Sequence, residues 1–199
     1  MSVYKTDRHF TDFVHLQVAL PQIYQPLGWQ PHQVSPHELE HYDRNHGIDY
    51  FFETPEGSVV SVQERFREQK YQHYNDFTLR YRRDFNRDVK QHPSEFFKIR
   101  ANYMVYGIVN KPKINILQER NVSFLKYAVL DLAVFFGLFL EGRIKAKRGL
   151  DKSFVADGIL VAPIKDNHDK SSSFLAFDVA LLAQLFQDSR LIIKQQGFY

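Results

Sequence analysis

The residues with the clearest chemical potential lie on two neighbouring predicted strands. Asp49 stands among large apolar residues that predict a strand at 48–53. A turn of sequence Thr-Pro-Glu-Gly separates this strand from a second predicted strand at 58–67, so the two segments are expected to form a β-hairpin. Pairing of the two strands would bring Asp49 close to Gln63 and Arg65.

The second strand of this hairpin is expected to carry one polar face. Successive side chains of a strand point to opposite faces, so alternate residues share a surface. This face, which is either solvated or lines a site, holds Ser61, Gln63, Arg65 and Arg67. A carboxylate and an amide oxygen suit a hard ion such as Mg²⁺, which activates water and neutralises charge on a phosphodiester. The nearby cation could hold the attacking water or stabilise the pentavalent state.

The same segments resemble the active-site hairpin of the PD-(D/E)XK nuclease superfamily. The resemblance rests on residues 47–49 (Gly-Ile-Asp), the short turn, and residues 59–65 (Val-Val-Ser-Val-Gln-Glu-Arg). In that family an aspartate on one strand is followed on the next strand by an acid-x-Lys pair. A Tyr-rich predicted strand at 101–109 also looks like part of the family's core, and the resemblance covers roughly residues 35–140.

The resemblance implies a nuclease that hydrolyses phosphodiester bonds in DNA with Mg²⁺ or Mn²⁺ and that forms a homodimer to cut both strands. On this match Asp49 is a metal ligand, Gln63 stands at the acid position and Arg65 at the lysine position. Glu64 is an accessory candidate for metal binding and catalysis, through its side chain or its backbone carbonyl. An arginine stays protonated, so Arg65 is expected to hold the scissile phosphate or water rather than to act as a base.

The sequence departs from the family pattern twice, with Gln63 in place of the acid and Arg65 in place of the lysine, and these departures keep other interpretations open. In an alternative register Glu64 is the ligand, Phe66 takes the lysine position, and Glu64 faces the apolar side of the strand. Gln63 in place of an acid removes one negative charge and should weaken metal binding. The alternatives are therefore a non-catalytic module of the same fold that binds nucleic acid or protein, and an unrelated α+β interaction protein.

A short helix before the hairpin carries two further candidate acids. Ser35 and Glu38 have the spacing of a capping box, and Gly47 is expected to end the helix. Glu40 and Asp43 are three residues apart, so they share a face of this helix. The resemblance makes them possible accessory ligands, while a solvated helix face is the alternative.

Arginines are concentrated after the hairpin, where a third strand is predicted at 77–82. Phosphate contacts from such side chains dominate affinity for nucleic acid. Beside the hairpin in one sheet they would form a cationic stripe, although Asp84 and Asp88 allow ion pairing within the segment. The residues predicted to contact nucleic acid are Arg67, Arg80, Arg82, Arg83 and Arg87.

Composition excludes several other classes of protein. The chain has 199 residues, a net charge of +3 and no cysteine, which excludes disulfide scaffolds, thiolate metal sites and thiol nucleophiles. No Walker loop, dinucleotide fingerprint or nucleophile elbow is present, so no nucleotide cofactor is expected. His37 and His41 are spaced as in a zinc helix but lack the rest of that motif.

The alternation of predicted strands and helices indicates an α/β (α+β) domain with a mixed central sheet flanked by helices. We expect a single domain over 1–199, with a nuclease-like core at about 35–140 and a C-terminal α/β extension at 141–199. Apolar runs predict long helices at 122–141 and 174–188.

No membrane segment is expected in this chain. The N-terminus is polar, and Lys126 and Asp131 interrupt the most apolar stretch. A cytoplasmic protein is the expectation from these features.

Overall fold

A computed structural model describes residues 3–83, 94–168 and 172–199 of the chain. It has the α+β class that the sequence predicts. The strands of the described residues are β1 (Gln30–Pro31), β2 (Tyr50–Glu53), β3 (Val59–Arg67), β4 (Asp76–Arg83), β5 (Tyr103–Val109), β6 (Phe124–Asp131), β7 (Ile144–Arg148), β8 (Phe154–Ala156), β9 (Ile159–Asp166), β10 (Ser172–Asp178) and β11 (Ile192–Gln196). The α-helices are α1 (Val3–Val14), α2 (Pro36–His46), α3 (Glu95–Lys98), α4 (Leu132–Leu140) and α5 (Val179–Leu185).

The strands form two mixed sheets where one central sheet was expected. The six-stranded sheet has the order β1-β2-β3-β5-β6-β11, and the five-stranded sheet has the path β4-β10-β9-β7 with β8 paired to β9. The chain passes from the six-stranded sheet to β4 of the five-stranded sheet and back to β5, and it crosses again where α4 joins β6 to β7 and where α5 joins β10 to β11. The predicted C-terminal extension at 141–199 therefore contributes strands to both sheets.

Both faces of the six-stranded sheet are covered by apolar side chains. One buried cluster joins this sheet to the five-stranded sheet and includes Phe77, Met104, Leu130, Phe135 and Phe177. The other cluster packs the opposite face against the N-terminal helical segment and includes Val14, Val18, Tyr24, Phe52 and Val62. Strand β3 consequently contacts a different environment on each of its faces.

Two of the predicted helices are wrong in their first halves, which are strands. Residues 122–141 form β6 and then α4, and residues 174–188 lie in β10, α5 and a short 3₁₀ turn. Strands buried on both faces are continuously apolar, so their periodicity does not separate them from buried helices. Within the described residues, none of the helices is both long and apolar enough to span a membrane.

Aspartates mark the points where these strands become helices. The Asp131 carboxylate accepts a hydrogen bond of 3.0 Å from the backbone N–H of Val134, and Asp178 accepts one of 3.0 Å from Leu181. Both are N-cap contacts, which satisfy backbone donors that the first turn of a helix leaves without partners. The strand-to-helix boundaries are thus set by single residues inside otherwise apolar runs.

The elements that frame the first hairpin agree with the sequence-based predictions. Helix α2 begins with the predicted capping box, in which Ser35 and Glu38 exchange hydrogen bonds. It ends at Gly47, whose φ of 58° lies in the left-handed region. Strands β2 and β3 then pair antiparallel, with Tyr50 opposite Val62. The chain enters the hairpin directly from this helix end, which places α2 beside it.

Candidate active site

The hairpin brings the carboxylate of Asp49 to the backbone of Glu64. The Asp49 N–H donates a hydrogen bond of 2.8 Å to the carbonyl oxygen of Val62, which extends the β2–β3 pairing by one residue. The Glu64 N–H donates to Oδ2 of Asp49 at 2.7 Å. The two acids are therefore neighbours across the hairpin, although 15 residues separate them in sequence.

Glu64 is a buried acid whose two oxygens have different surroundings. Oε1 accepts a hydrogen bond of 2.6 Å from the hydroxyl of Tyr24 and lies 2.8 Å from Nδ1 of His15. Oε2 is buried and has no hydrogen-bond partner among the residues that the structure describes. A buried carboxylate oxygen without a partner is costly, so this atom is suited to receive a further ligand.

The N-terminal segment supplies both partners of Glu64. After α1 the chain continues as a π-helix over His15–Tyr24, which contains Pro21. π-Helical turns are rare and are found frequently at functional sites. The His15 ring stacks on Tyr50 of β2 with a centroid distance of 3.6 Å and an interplanar angle of 7°. This stacking holds the imidazole against the hairpin, next to Glu64.

The electrostatics of this pair favour a cation. Burial raises the pKa of the Asp49 carboxyl to about 8, and the negative charge of Glu64 adds to the increase, while the hydrogen bond from the Glu64 backbone opposes it. Burial also raises the pKa of the Tyr24 hydroxyl, with a further contribution from the charge of Glu64. Strongly perturbed titratable groups in a cleft are typical of functional sites.

Asp49 and Glu64 line an open cleft of about 740 Å³ between α1, α2 and the hairpin, which we call the acidic cleft. Helix α2 contributes Glu40 and Asp43, the two accessory candidates, to the same cleft. The further charged residues of its lining are Asp7, Arg8, Asp12 and Arg44.

The two arginines of this cleft form ion pairs with its outer acids. Arg8 lies 3.3 Å from Asp12 and 4.0 Å from Asp43, and Arg44 lies 2.9 Å from Glu40. All of these side chains are largely exposed, so the pairs are weak and can rearrange when a ligand enters. The cleft therefore combines the buried Glu64 and the partly buried Asp49 with exposed arginines nearer to solvent.

The donor set fits a divalent ion that shares its coordination with water or substrate. Within residues 3–83, 94–168 and 172–199, no group of three or more His, Asp or Glu side chains is placed to hold a metal. Mg²⁺, however, is often bound by one or two carboxylates together with waters and phosphate oxygens. Asp49 and the partnerless Oε2 of Glu64 meet this smaller requirement.

The structure places Gln63 and Arg65 on the opposite face of β3, where α3 provides their partner. The Gln63 amide donates to Oε1 of Glu95 at 3.0 Å, and Nη1 of Arg65 donates to Oε2 at 2.6 Å. Burial alone would raise the pKa of Glu95, but the charge of Arg65 and the hydrogen bonds hold it below its ordinary value. The lining of the acidic cleft contains Glu64 and neither Gln63 nor Arg65.

The five arginines predicted to contact nucleic acid do not lie together: two line a second cleft, one lies elsewhere on β4, and two lie at or beyond the end of the described part of that strand. Arg67 and Arg80 line a second cleft, between the two sheets. Strand β4, which carries Arg80 and Arg82, pairs with β10 and not with the hairpin, so the expected stripe within one sheet does not form. A β-bulge opposite Ser173 and Phe174 also breaks the alternation between the two arginines. Arg87 lies outside the described residues, and Arg83 is described only through its backbone pairing with Ser172.

Sequence reasoning missed the N-terminal contribution to the site. His15, Tyr24 and Tyr50 surround Glu64, yet the first two lie 49 and 40 residues before it. The one local signal was a polar histidine inside an apolar helical run, in a segment where Pro21 disturbs regular α-helical bonding. Comparison with known proteins adds no assignment, since no family model, curated protein or solved structure matches the chain.

Proposed function

We propose that the protein is a divalent-cation-dependent nuclease that hydrolyses phosphodiester bonds in DNA at the acidic cleft. The observation that carries this proposal is the pair of neighbouring acids, Asp49 and Glu64, at the hairpin end of the cleft, with one buried Glu64 oxygen partnerless among the described residues. Like-charged acids placed together in a buried site are stabilised by a bound cation. Oε1 of Gln63 is also buried without a partner among the described residues, but Glu64, and not Gln63, lines the cleft together with Asp49, which favours the register in which Glu64 is the ligand on β3.

Each residue of the cleft has a role in this proposal. Asp49 and Glu64 would hold Mg²⁺ or Mn²⁺, which supplies charge neutralisation and an activated water. Tyr24 and His15 orient the Glu64 carboxylate through Oε1, so Oε2 is the oxygen left for the ion. Arg8, at the rim, can exchange its acidic partners for a substrate phosphate.

The cleft is wide enough for an extended substrate. Its volume of about 740 Å³ and its open form allow a strand of nucleic acid to approach the two acids from solvent. A homodimer would supply the second site needed to cut both strands of a duplex. Cutting of one strand by a single site would instead leave nicked circles when the substrate is a supercoiled plasmid.

The first test is plasmid cleavage with Mg²⁺ or Mn²⁺, with and without a chelator. We expect Asp49→Asn and Glu64→Gln each to reduce the cleavage rate by more than about 100-fold, since even indirect partners of metal ligands contribute 10–100-fold. Glu56→Gln, which removes an exposed acid from the turn of the same hairpin, is the matched control and should cleave like the wild type.

The register is tested in the same assay by Gln63→Ala. If this variant loses cleavage while Glu64→Gln retains it, the ligand assignment on β3 is overturned in favour of Gln63. If the wild type cleaves neither plasmid nor branched or single-stranded DNA with either metal, the nuclease proposal fails. DNA binding that weakens with salt would then assign the chain to the non-catalytic binding modules.

A further inference from the structure

A second cleft, which we call the inter-sheet cleft, opens between the two sheets and has a volume of about 300 Å³. We use six of its lining residues: Arg65, Arg67, Arg80, Lys165, Tyr71 and Tyr74. Arg65 and Arg67 belong to the face of β3 opposite to Glu64, so this cleft is separated from the acidic cleft by the six-stranded sheet.

One residue of β4 gathers two of the cations. Nη1 of Arg65 donates to the carbonyl oxygen of Thr78 at 2.9 Å, and Nη2 of Arg67 donates to the Thr78 hydroxyl at 3.1 Å. Two guanidinium groups held on one residue repel each other. Glu95 already supplies an anion to Arg65, so an added anion in the cleft would act mainly on Arg67.

Two acids lie near the cations of the inter-sheet cleft. Glu95 accepts from Arg65 and from the backbone N–H of Arg80. Asp76 lines the cleft, and burial raises the pKa of its carboxyl, with Lys165 opposing the increase. Among the described residues that line the cleft, the side chains of Arg65, Arg67 and Lys165 are cationic and that of Asp76 is acidic.

Aromatic rings lie next to the cations. The Arg67 guanidinium carbon lies 5.0 Å from the centre of the Tyr71 ring. Tyr74 lines the same cleft with 54% of its surface exposed. Tyrosine rings beside arginines are the usual components of a surface on which a nucleobase stacks while its phosphate is bound.

We propose that the inter-sheet cleft binds a nucleotide, with its phosphate on Arg67 and Lys165 and its base against Tyr71 and Tyr74. The volume is at the lower end of small-ligand sites, which suits one nucleotide and not a length of duplex. The ligand is either a free mononucleotide or the 5′-phosphorylated terminal nucleotide of a DNA strand. This binding does not depend on the proposed nuclease activity, because it needs no metal and uses the other face of β3.

Calorimetric titration of the full chain in a chelator tests the proposal without involving the acidic cleft. The probes are adenosine 5′-monophosphate, adenosine, and a short single-stranded DNA with and without a 5′-phosphate. We expect the monophosphate to bind and adenosine to bind at least tenfold more weakly, since one lost charge-assisted contact is worth about tenfold in affinity.

Lys165→Gln should weaken binding of the monophosphate by about tenfold, whereas Lys147→Gln, an exposed lysine of β7 with the same charge change, should not. Arg67→Gln is a second variant, and circular dichroism shows whether it is folded. Preference for the 5′-phosphorylated DNA over the monophosphate identifies a strand end as the ligand, and the reverse identifies a free nucleotide. The proposal is overturned if no phosphorylated probe binds, or if Lys165→Gln and Lys147→Gln bind equally well.

Discussion

The two faces of β3 carry charged groups in opposite electrostatic states. On one face Arg65 and Glu95 form an ion pair of 2.6 Å, and Glu95 keeps a pKa below its ordinary value. On the other face the carboxyl groups of Asp49 and Glu64 belong to neighbouring acids, and burial together with the charge of Glu64 raises the pKa of Asp49 to about 8. Arg65 therefore belongs to a pair of opposite charges on one side of β3, and the adjacent Glu64 belongs to a pair of acids on the other side.

This difference separates structural charges from candidate catalytic ones. A partly buried ion pair with hydrogen bonds to the backbone is complete, since each charge has its counter-charge within the protein. Glu64 contacts the basic side chain His15 at 2.8 Å, whereas the Asp49 carboxylate accepts a hydrogen bond from a backbone N–H. An ionised Asp49 in this position raises the free energy of the folded state, and cation binding recovers that energy. The comparison thus favours Glu64 over Gln63 as the metal ligand on β3, although the family pattern matches Gln63 and Arg65 to its acid and lysine positions.

The largest expected effect comes from removing the ion pair between Arg65 and Glu95. Arg65→Met leaves Glu95 as a largely buried acid without its main counter-charge, and we expect the free energy of unfolding to fall by about 3 kcal/mol. The double variant Arg65→Met with Glu95→Gln should recover most of this loss. Urea unfolding of the wild type, both single variants and the double variant measures the coupling. Equal stability of all four proteins would contradict the description of this face as a tight ion pair.

On the face that carries Asp49 and Glu64, removal of a charge should raise the free energy of unfolding. The Asp49 carboxyl has an ordinary pKa of 3.8 and a folded-state pKa of about 8, so between these values the folded protein binds more protons than the unfolded one. The free energy of unfolding therefore decreases as the pH rises through this window. Asp49→Asn removes the decrease and should stabilise the metal-free protein at pH 8 by on the order of 2 kcal/mol.

Thermal and urea unfolding in a chelator, at pH 5 and pH 8, measure this effect. The gain from Asp49→Asn should be larger at pH 8 than at pH 5, because over this range the unfolded wild type has lost the Asp49 proton that the folded protein largely keeps. Glu56→Gln is again the exposed control, with little effect at either pH. A variant that is less stable than the wild type at pH 8 would show that the Asp49 carboxylate is well satisfied without a cation.

Local sequence signals predicted the part of the site that the hairpin builds. The turn, the alternation along β3 and the cap at Ser35 each depend on residues that are close together in the chain, and the structure contains all three. Asp49 was identified from its position at the start of a strand, and it lies in the acidic cleft. The choice between Gln63 and Glu64 could not be made locally, because it depends on what covers each face of the strand.

Long-range packing accounts for what the sequence did not predict. His15 and Tyr24 reach Glu64 only because the N-terminal helical segment packs on one face of the six-stranded sheet. The strand-to-helix changes at Asp131 and Asp178 were missed because both sheets bury these strands and remove their alternation. An aspartate inside an apolar run was the available signal, since it is a preferred N-cap.

The smallest expected effect tests whether the N-terminal segment serves the site or only the fold. Tyr24→Phe removes the hydrogen bond of 2.6 Å to Oε1 of Glu64 and should change stability by about 1–2 kcal/mol. If Tyr24 also orients a metal ligand, the affinity for Mn²⁺, measured by calorimetry, should fall by about tenfold in the folded variant. The matched control is Tyr127→Phe, which changes a buried tyrosine of the same apolar cluster that lies outside the acidic cleft. If both variants bind Mn²⁺ like the wild type, Tyr24 acts in packing alone, and the assignment of Glu64 as an oriented ligand loses its support.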